Sequence, residues 1–152
     1  MKKFYDLLDT RYSLPLLVKI APFTDTTPHV GIEIKGKRLY SGPVTTEIDL
    51  THSIYNDDSI DLKITISGKD YNKDQESALM FKTMIIDQVD VTSYVIQNAV
   101  YKTDMPWETY DKPTNHLGWN GQWSFASDKP FFHIKHDIKN YGWLLVPELS
   151  KD

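Results

Sequence analysis

Hydrophobic and polar residues alternate most regularly between positions 59 and 67. In Ser59–Ser67 every second side chain is apolar, which is the period of a strand with one buried and one solvent-exposed face. Residues 78–91 are richer in apolar side chains and predict a second, more buried strand. The intervening residues 68–77 are too charged to form core, so we expect two neighbouring strands joined by a solvent-facing loop.

Shorter segments on both sides of this pair give the same pattern, and residues 35–38, with Gly36, predict the tight turn of a hairpin. Residues 92–100 fit either a helical turn or a strand. The remaining predicted strands lie at 16–20, 29–34, 44–50, 122–126, 131–136 and 143–146, with a polar turn at 53–59. No segment predicts the long crossover helix of a parallel sheet. These patterns therefore predict an all-β fold, an antiparallel β-sandwich of jelly-roll type.

The length of 152 residues suits a single domain that spans the whole chain. Residues 1–12 carry several apolar side chains, which predict either a short N-terminal helix that closes one end of the sandwich or an arm that docks on a neighbour. Residues 101–121 are the longest stretch without a regular pattern and predict a long loop. Long loops on a rigid sheet are disproportionately functional, so this loop is a candidate binding segment.

The charge and composition limit the classes of partner. A net charge of -4 gives no general attraction for phosphate backbones or anionic lipids, so we expect neither nucleic acid nor a membrane as partner. The absence of cysteine excludes disulfides, thiolate metal sites and a cysteine nucleophile. No apolar run reaches the roughly 18 residues of a membrane span, and residues 14–18 are too short for the apolar core of a signal peptide.

The five histidines give no catalytic or metal motif. His133 and His136 are three residues apart, but on the strand predicted for 131–136 their rings point to opposite faces, so we do not expect them to share a metal ion. No local motif supports a serine nucleophile. We therefore predict no catalytic residues.

Oxygen-bearing side chains occupy every second position of the polar loop, at Asp70, Asn72, Asp74 and Glu76. Carboxylate and amide oxygens are the ligands that calcium prefers, so Asp70, Asp74 and Glu76 are candidate calcium ligands. The loop lacks the glycine, the final glutamate and the flanking helices of an EF-hand. A solvated acidic loop without a cation is the alternative.

Aromatic side chains are concentrated in and just after residues 101–121, where Trp107, Tyr110 and Trp119 are followed by Trp123. Aromatic faces stack on the C–H faces of sugars, and neighbouring Asp, Asn and Gln side chains bind the hydroxyls. The first three residues are therefore candidate ligand-binding residues, together with the polar loop. Core or rim packing and a protein interface are the alternatives. Trp123 lies within a strand pattern and is expected in the core.

The layout of residues 29–91 resembles β-sandwich carbohydrate-binding modules that bind xylan-like sugars through calcium. The matching features are the strand and hairpin at 29–37, the alternating strand at 60–66, the polar loop at 70–76 and the apolar strand at 78–91. The resemblance implies that Asp70, Asp74 and Glu76 lie near a cation and a sugar.

The sequence Gly-Trp-Asn-Gly-Gln-Trp-Ser-Phe at 118–125, with Tyr-Gly-Trp-Leu-Leu at 141–145, resembles small uncharacterised proteins of tailed marine phages, cyanophages among them. The resemblance implies a virion accessory protein, such as a capsid decoration or a tail-associated protein. It places the protein in the virion or the host cytoplasm, with a virion or host-surface component, protein or glycan, as its partner.

These observations together predict a non-enzymatic binding or structural module. One alternative is a carbohydrate-active enzyme, which would need Asp104, Glu108 or Asp111 to face Asp74 or Glu76 across a cleft. The other is a phage protein that binds a host protein.

Overall fold

A computed structural model of the chain describes residues 12–73, 76–104 and 113–139. Within these residues the backbone forms ten strands and two helices. In chain order they are β1 (Ser13–Pro22), β2 (His29–Ile34), β3 (Lys37–Gly42), β4 (Ile48–Tyr55), β5 (Ser59–Ser67), β6 (Leu79–Ile86), β7 (Val89–Asp90), α1 (Thr92–Asn98), β8 (Val100–Thr103), β9 (His116–Leu117), β10 (Gly121–Pro130) and α2 (Phe131–Lys139).

The strands form two antiparallel sheets that pack as a sandwich, which confirms the predicted all-β fold. The first sheet has the order β4-β1-β6-β7. Strand β7 pairs with the end of β6, and β9 pairs with the start of β6. The second sheet has the order β3-β2-β5-β10-β8. Strands adjacent in space are often distant in sequence, so loops from several parts of the chain meet at each end.

Alternating burial along β5 and β1 supplies the centre of the core. Ile60, Leu62, Ile64 and Ile66 of β5 are all buried, and their polar neighbours point outward, as the sequence predicts. Trp123 packs against Phe81 of the facing sheet with ring centroids 4.9 Å apart, which confirms its predicted place in the core. Each fully buried apolar side chain of this size contributes about 1.5–3 kcal/mol.

The hairpin predicted at residues 35–38 joins β2 to β3. Lys35 and Gly36 both have positive φ, at 50° and 80°, which is the backbone of the type I′ turn that suits the twist of two-residue hairpins. Ile34 pairs with Lys37 across the turn, and the hairpin continues to Gly42. The prediction of a hairpin here is confirmed.

The strand predicted at 131–136 is wrong, because these residues form α2. Phe131 and Ile134 are buried and Ile138 packs against the core, and spacings of three and four residues fit one face of a helix. His133 and His136 therefore lie on neighbouring positions of one helix face, not on opposite faces of a strand. Among the described residues no three His, Cys, Asp or Glu side chains lie close enough to hold a metal ion.

Several other segments differ from the predicted boundaries. The loop predicted at 101–121 contains β9 and most of β8, and the strand predicted at 78–91 is interrupted at 87–88, between β6 and β7. The strand predicted at 44–50 lies instead at 48–55, because β4 pairs with β1 along its whole length, from Ile48 opposite Ile20 to Tyr55 opposite Ser13. The ambiguous residues 92–100 form α1 followed by the start of β8. The N-terminal arm or helix and the strand at 143–146 lie outside the described residues. Neither described helix is long and apolar enough to cross a membrane.

Candidate functional site

One end of the sandwich gathers polar loops from both sheets. Strand pairing places the end of β1 beside the start of β6 through Pro22 and Leu79, and the start of β10 beside the end of β5 through Gly121 and Ile66. The loops that follow or precede these strands therefore meet. We call this region the loop end, and its described residues are 24–28, 68–73, 76–78 and 118–120.

An open depression of about 590 Å³ lies at the loop end. Its volume falls within the range of roughly 300–1,000 Å³ that is usual for small-molecule sites. Within the described part of the chain, its lining combines hydroxyl groups, two carboxylates, one ammonium group and one amide. The lining residues are Thr24, Asp25, Thr26, Thr27, Pro28, Asn72, Lys73, Glu76 and Ser77. Such a lining offers both hydrogen-bond donors and acceptors, as a ligand rich in hydroxyl groups requires.

Hydrogen bonds fix the 24–28 wall of the depression. Thr27 is only 5% exposed, and its hydroxyl accepts the backbone N–H of Val44 at 2.7 Å and donates to the carbonyl of Pro28 at 2.7 Å. The hydroxyl of Ser77 donates to the carbonyl of Thr26 at 3.0 Å. This last bond joins the two walls of the depression, which come from segments 51 residues apart in the sequence.

Lys69 anchors the loop that leads into the second wall of the depression, whose described residues are Asn72, Lys73, Glu76 and Ser77. Its side chain is 8% exposed, and its ammonium group donates to the carbonyl of Gly118 at 2.5 Å. The backbone N–H of Lys69 donates to Oδ1 of Asn120 at 2.9 Å, and its carbonyl accepts Nδ2 of Asn120 at 3.1 Å. Because a buried charge is costly without partners, the bond to Gly118 helps to keep the Lys69 ammonium buried, and Lys69 links the 68–73 loop to residues 118–120.

A second link runs through Tyr71. Its hydroxyl donates to Oδ1 of Asp104 at 2.7 Å and accepts the backbone N–H of Asn120 at 2.8 Å. Burial, followed by the hydrogen bond to the Asp104 carboxylate, raises the pKa of Tyr71 above its usual value of 10.0. Tyr71 is therefore protonated at neutral pH, and its hydroxyl ties the 68–73 loop to the start of β10.

Two of the three predicted calcium ligands, Asp70 and Glu76, lie within the described residues. Glu76 lines the depression. Asp70 is exposed and lies off that lining, and its Oδ1 accepts the backbone N–H of Asn72 at 3.0 Å, which closes a local turn. Asp74 lies outside the described residues. The metal-binding role of these three residues stays a prediction.

Of the predicted aromatic ligand-binding residues, Trp107 and Tyr110 lie outside the described residues. Trp119 is half-buried and packs against the hydrophobic core. Its backbone N–H donates to the hydroxyl of Tyr101 at 3.0 Å, and that hydroxyl donates back to the Trp119 carbonyl at 2.5 Å. A role for Trp119 in stacking on a sugar stays a prediction.

Of the carboxylates named for a possible enzyme, Asp104 and Glu76 lie within the described residues. The Asp104 carboxylate accepts the Tyr71 hydroxyl, and Asp104 is not among the residues that line the depression. It therefore does not face Glu76 across this depression. Glu108, Asp111 and Asp74 lie outside the described residues.

Sequence reasoning missed the 24–28 loop and the neighbouring Phe23. The Thr-Asp-Thr-Thr-Pro composition of this loop predicts a plain connection between strands, and nothing in it shows that it meets a loop more than 40 residues away. Phe23 is 51% exposed, and its ring makes an edge-to-face contact with His116 at a centroid distance of 4.7 Å. An aromatic residue directly before a polar loop was the available signal.

No known protein family's sequence profile matches the chain, and no curated protein matches it in sequence. Among solved structures it is similar to vCBM60 in complex with galactobiose, with 10% identity, a TM-score of 0.51 and coverage of 74% of this chain and 97% of that chain. The chain has a vCBM60-like sandwich fold. A second similar structure is a selenomethionine form of vCBM60, with 14% identity, a TM-score of 0.48 and coverage of 74% of this chain and 90% of that chain. Its description concerns circular permutation as a link between two families of calcium-dependent carbohydrate-binding modules.

Proposed function

We propose that this chain is a non-catalytic module that binds a carbohydrate in the depression at the loop end. The observation that carries the proposal is the polar lining of a depression of about 590 Å³. It lies on a fold similar to that of vCBM60, a protein solved in complex with galactobiose. Hydroxyl, carboxylate, ammonium and amide groups are the partners that sugar hydroxyls need, since each hydroxyl both donates and accepts hydrogen bonds.

The supports beneath the depression favour binding. Thr27 holds one wall through a buried hydrogen bond, Lys69 holds the 68–73 loop through a partly buried one, and Ser77 joins the walls directly. A wall that is already fixed loses little conformational entropy when a ligand arrives, so more of the interaction energy appears as affinity.

Calcium dependence is the finer part of the proposal, with Asp70, Asp74 and Glu76 as ligands. Carboxylate oxygens suit calcium, and the ion would supply a positive charge that attracts sugar hydroxyl oxygens. The described residues do not complete such a site alone, because no three potential ligands of the His, Cys, Asp and Glu types lie together among them.

A glycan array with the purified chain tests the proposal. We expect binding to a neutral oligosaccharide, and a parallel arm with a calcium chelator tests the metal separately. Calorimetry with the array ligand should show at least about tenfold weaker binding for Asp25→Ala/Glu76→Ala, because hydrogen bonds to charged groups are worth about 1.5–3 kcal/mol. The control Asp49→Ala/Asp61→Ala removes two exposed carboxylates from β4 and β5 and should bind like wild type. Absence of binding across plant, algal and bacterial glycans would reject the proposal.

A place in a phage virion stays a prediction, supported by the resemblance of residues 118–125 to proteins of tailed marine phages. A virion or host-surface glycan is then the natural partner. Mass spectrometry of purified particles tests this part, and absence of the chain from the particles would remove the virion role without affecting sugar binding.

A further inference from the structure

An exposed aromatic ring lies next to the depression, at the corner between the loop end and the outer face of the first sheet. Phe23 directly follows β1, and its backbone N–H donates to the carbonyl of Ala78 at 2.9 Å. With 51% of its surface exposed, its ring is held near solvent although the backbone beside it is fixed.

The ring of His116 contacts the ring of Phe23 and helps to fix its orientation. The two rings meet at 89° with centroids 4.7 Å apart. Met80 pairs with both Ala21 and His116, so the backbone of these neighbouring strands fixes the position of His116 beside Phe23. An edge-to-face contact covers at most one face of a ring, and Phe23 is 51% exposed, so part of its surface stays open to solvent.

The ring and the depression are continuous along the chain. Thr24 lines the depression and directly follows Phe23, with Cα atoms about 3.8 Å apart. Ala78, which binds the Phe23 backbone, directly follows Ser77, another residue of the lining. A ligand that fills the depression can therefore extend over Phe23 without leaving the surface.

We propose that Phe23 stacks on the C–H face of one sugar ring of a neutral oligosaccharide whose neighbouring ring is hydrogen-bonded in the depression. The inference rests on the proposed carbohydrate binding and specifies its ligand. The ligand needs two sugar rings, because the polar groups of the depression and the Phe23 ring lie side by side and each would contact a different ring. A neutral sugar is favoured over an acidic one, since among the described residues of the lining Asp25 and Glu76 outnumber Lys73.

Calorimetry with the disaccharide and trisaccharide forms of the array ligand tests the inference. We expect Phe23→Ala and Phe23→Leu to bind these ligands roughly tenfold more weakly than wild type, and Phe23→Trp to bind at least as well. Leucine keeps the apolar bulk but lacks a flat face, so its loss of affinity separates stacking from general hydrophobic contact.

Tyr55→Ala is the matched control. Tyr55 is 43% exposed and pairs with Ser13 at the other end of β1, so its removal should leave affinity unchanged. Thermal unfolding verifies that every variant folds. If wild type binds the oligosaccharide and both Phe23→Ala and Phe23→Leu bind it equally well, the stacking inference is overturned and the proposed function stands. If wild type binds no glycan, the proposed function and the inference fail together.

Discussion

The loop end and the outer face of the second sheet are both polar, but their polar groups are arranged differently. On the sheet face, one row across the strands reads Ser41, Gly31, Thr65, Gln122 and Lys102. These side chains project from pleated strands, and this row carries no aromatic ring. At the loop end, polar groups instead surround a depression beside an exposed phenylalanine.

The charged groups of the two regions also differ in their partners. On the sheet face, the guanidinium of Arg38 lies over Gly31 and binds the Glu33 carboxylate at 3.0 Å. At the loop end, the buried Lys69 supports the loops from below. Asp25 and Glu76 line the depression itself. Both surfaces of the fold thus carry polar groups, but at the loop end these groups surround a depression, where several donors and acceptors can contact one ligand.

Two glycines of the second sheet give the largest expected difference, Gly121 where β10 begins beside the loop end and Gly31 on the sheet face. A Cβ at Gly121, where φ is 156°, would lie 2.2 Å from the carbonyl oxygen of Lys102, whereas a Cβ at Gly31 would lie 3.7 Å from the nearest atom of Arg38. Gly121→Ala should lower the free energy of unfolding by about 3 kcal/mol, because the backbone of β8 must move. Gly31→Ala should change it by less than about 1 kcal/mol. Denaturant titration measures both, and equal effects would contradict the assigned packing.

The anchoring of Lys69 gives the next effect. Lys69→Met removes the donor to the Gly118 carbonyl and should lower the free energy of unfolding by about 1–3 kcal/mol. Sugar affinity should fall as well, because the 68–73 loop loses its support. Lys63→Met, on the outer face of β5, should leave both quantities close to wild type. A Lys69→Met variant with wild-type stability would show that the buried ammonium is not an anchor.

His116 gives the smallest effect, through pH. Burial, followed by the nearby positive charge of Lys69, lowers the pKa of His116 below its usual value of 6.5. The unfolded chain therefore binds the proton more readily, so the contribution of His116 to stability is present above pH 6.5 and is lost as the pH falls through the lower folded pKa. Wild type should lose slightly more thermal stability than His116→Gln between about pH 7 and about pH 5. Identical pH profiles would exclude this contribution.

The parts of the fold that depend on local sequence patterns, such as polar–apolar alternation and turn residues, could be predicted from the sequence. The alternation in Ser59–Ser67 and the turn at Gly36 act within a few residues, so β5 and the β2–β3 hairpin were predictable. Helix α2 was not, because the sequence fits both structures: Phe132 and Ile134 alternate as in a strand, and Phe131 and Ile134 have the spacing of a helix face. In short apolar segments, tertiary contacts decide between the two.

Only one of the two walls of the candidate site could be predicted from the sequence. Alternating oxygen-bearing residues mark the 70–76 loop, and Glu76 does line the depression. The opposite wall depends on the bond from Ser77 to Thr26, a contact between distant segments that no local pattern reveals. Phe23 became a candidate only when its exposure and its contact with His116 were known.

The most direct test of carbohydrate binding at the loop end is a titration of the isotope-labelled chain with the array oligosaccharide, followed by backbone amide NMR. The account predicts shifts concentrated at residues 23–27, 72–73 and 76–77, with little change at Gly31, Thr65 and Gln122. Shifts concentrated on that row of the second sheet, with residues 23–27 unchanged, would contradict it.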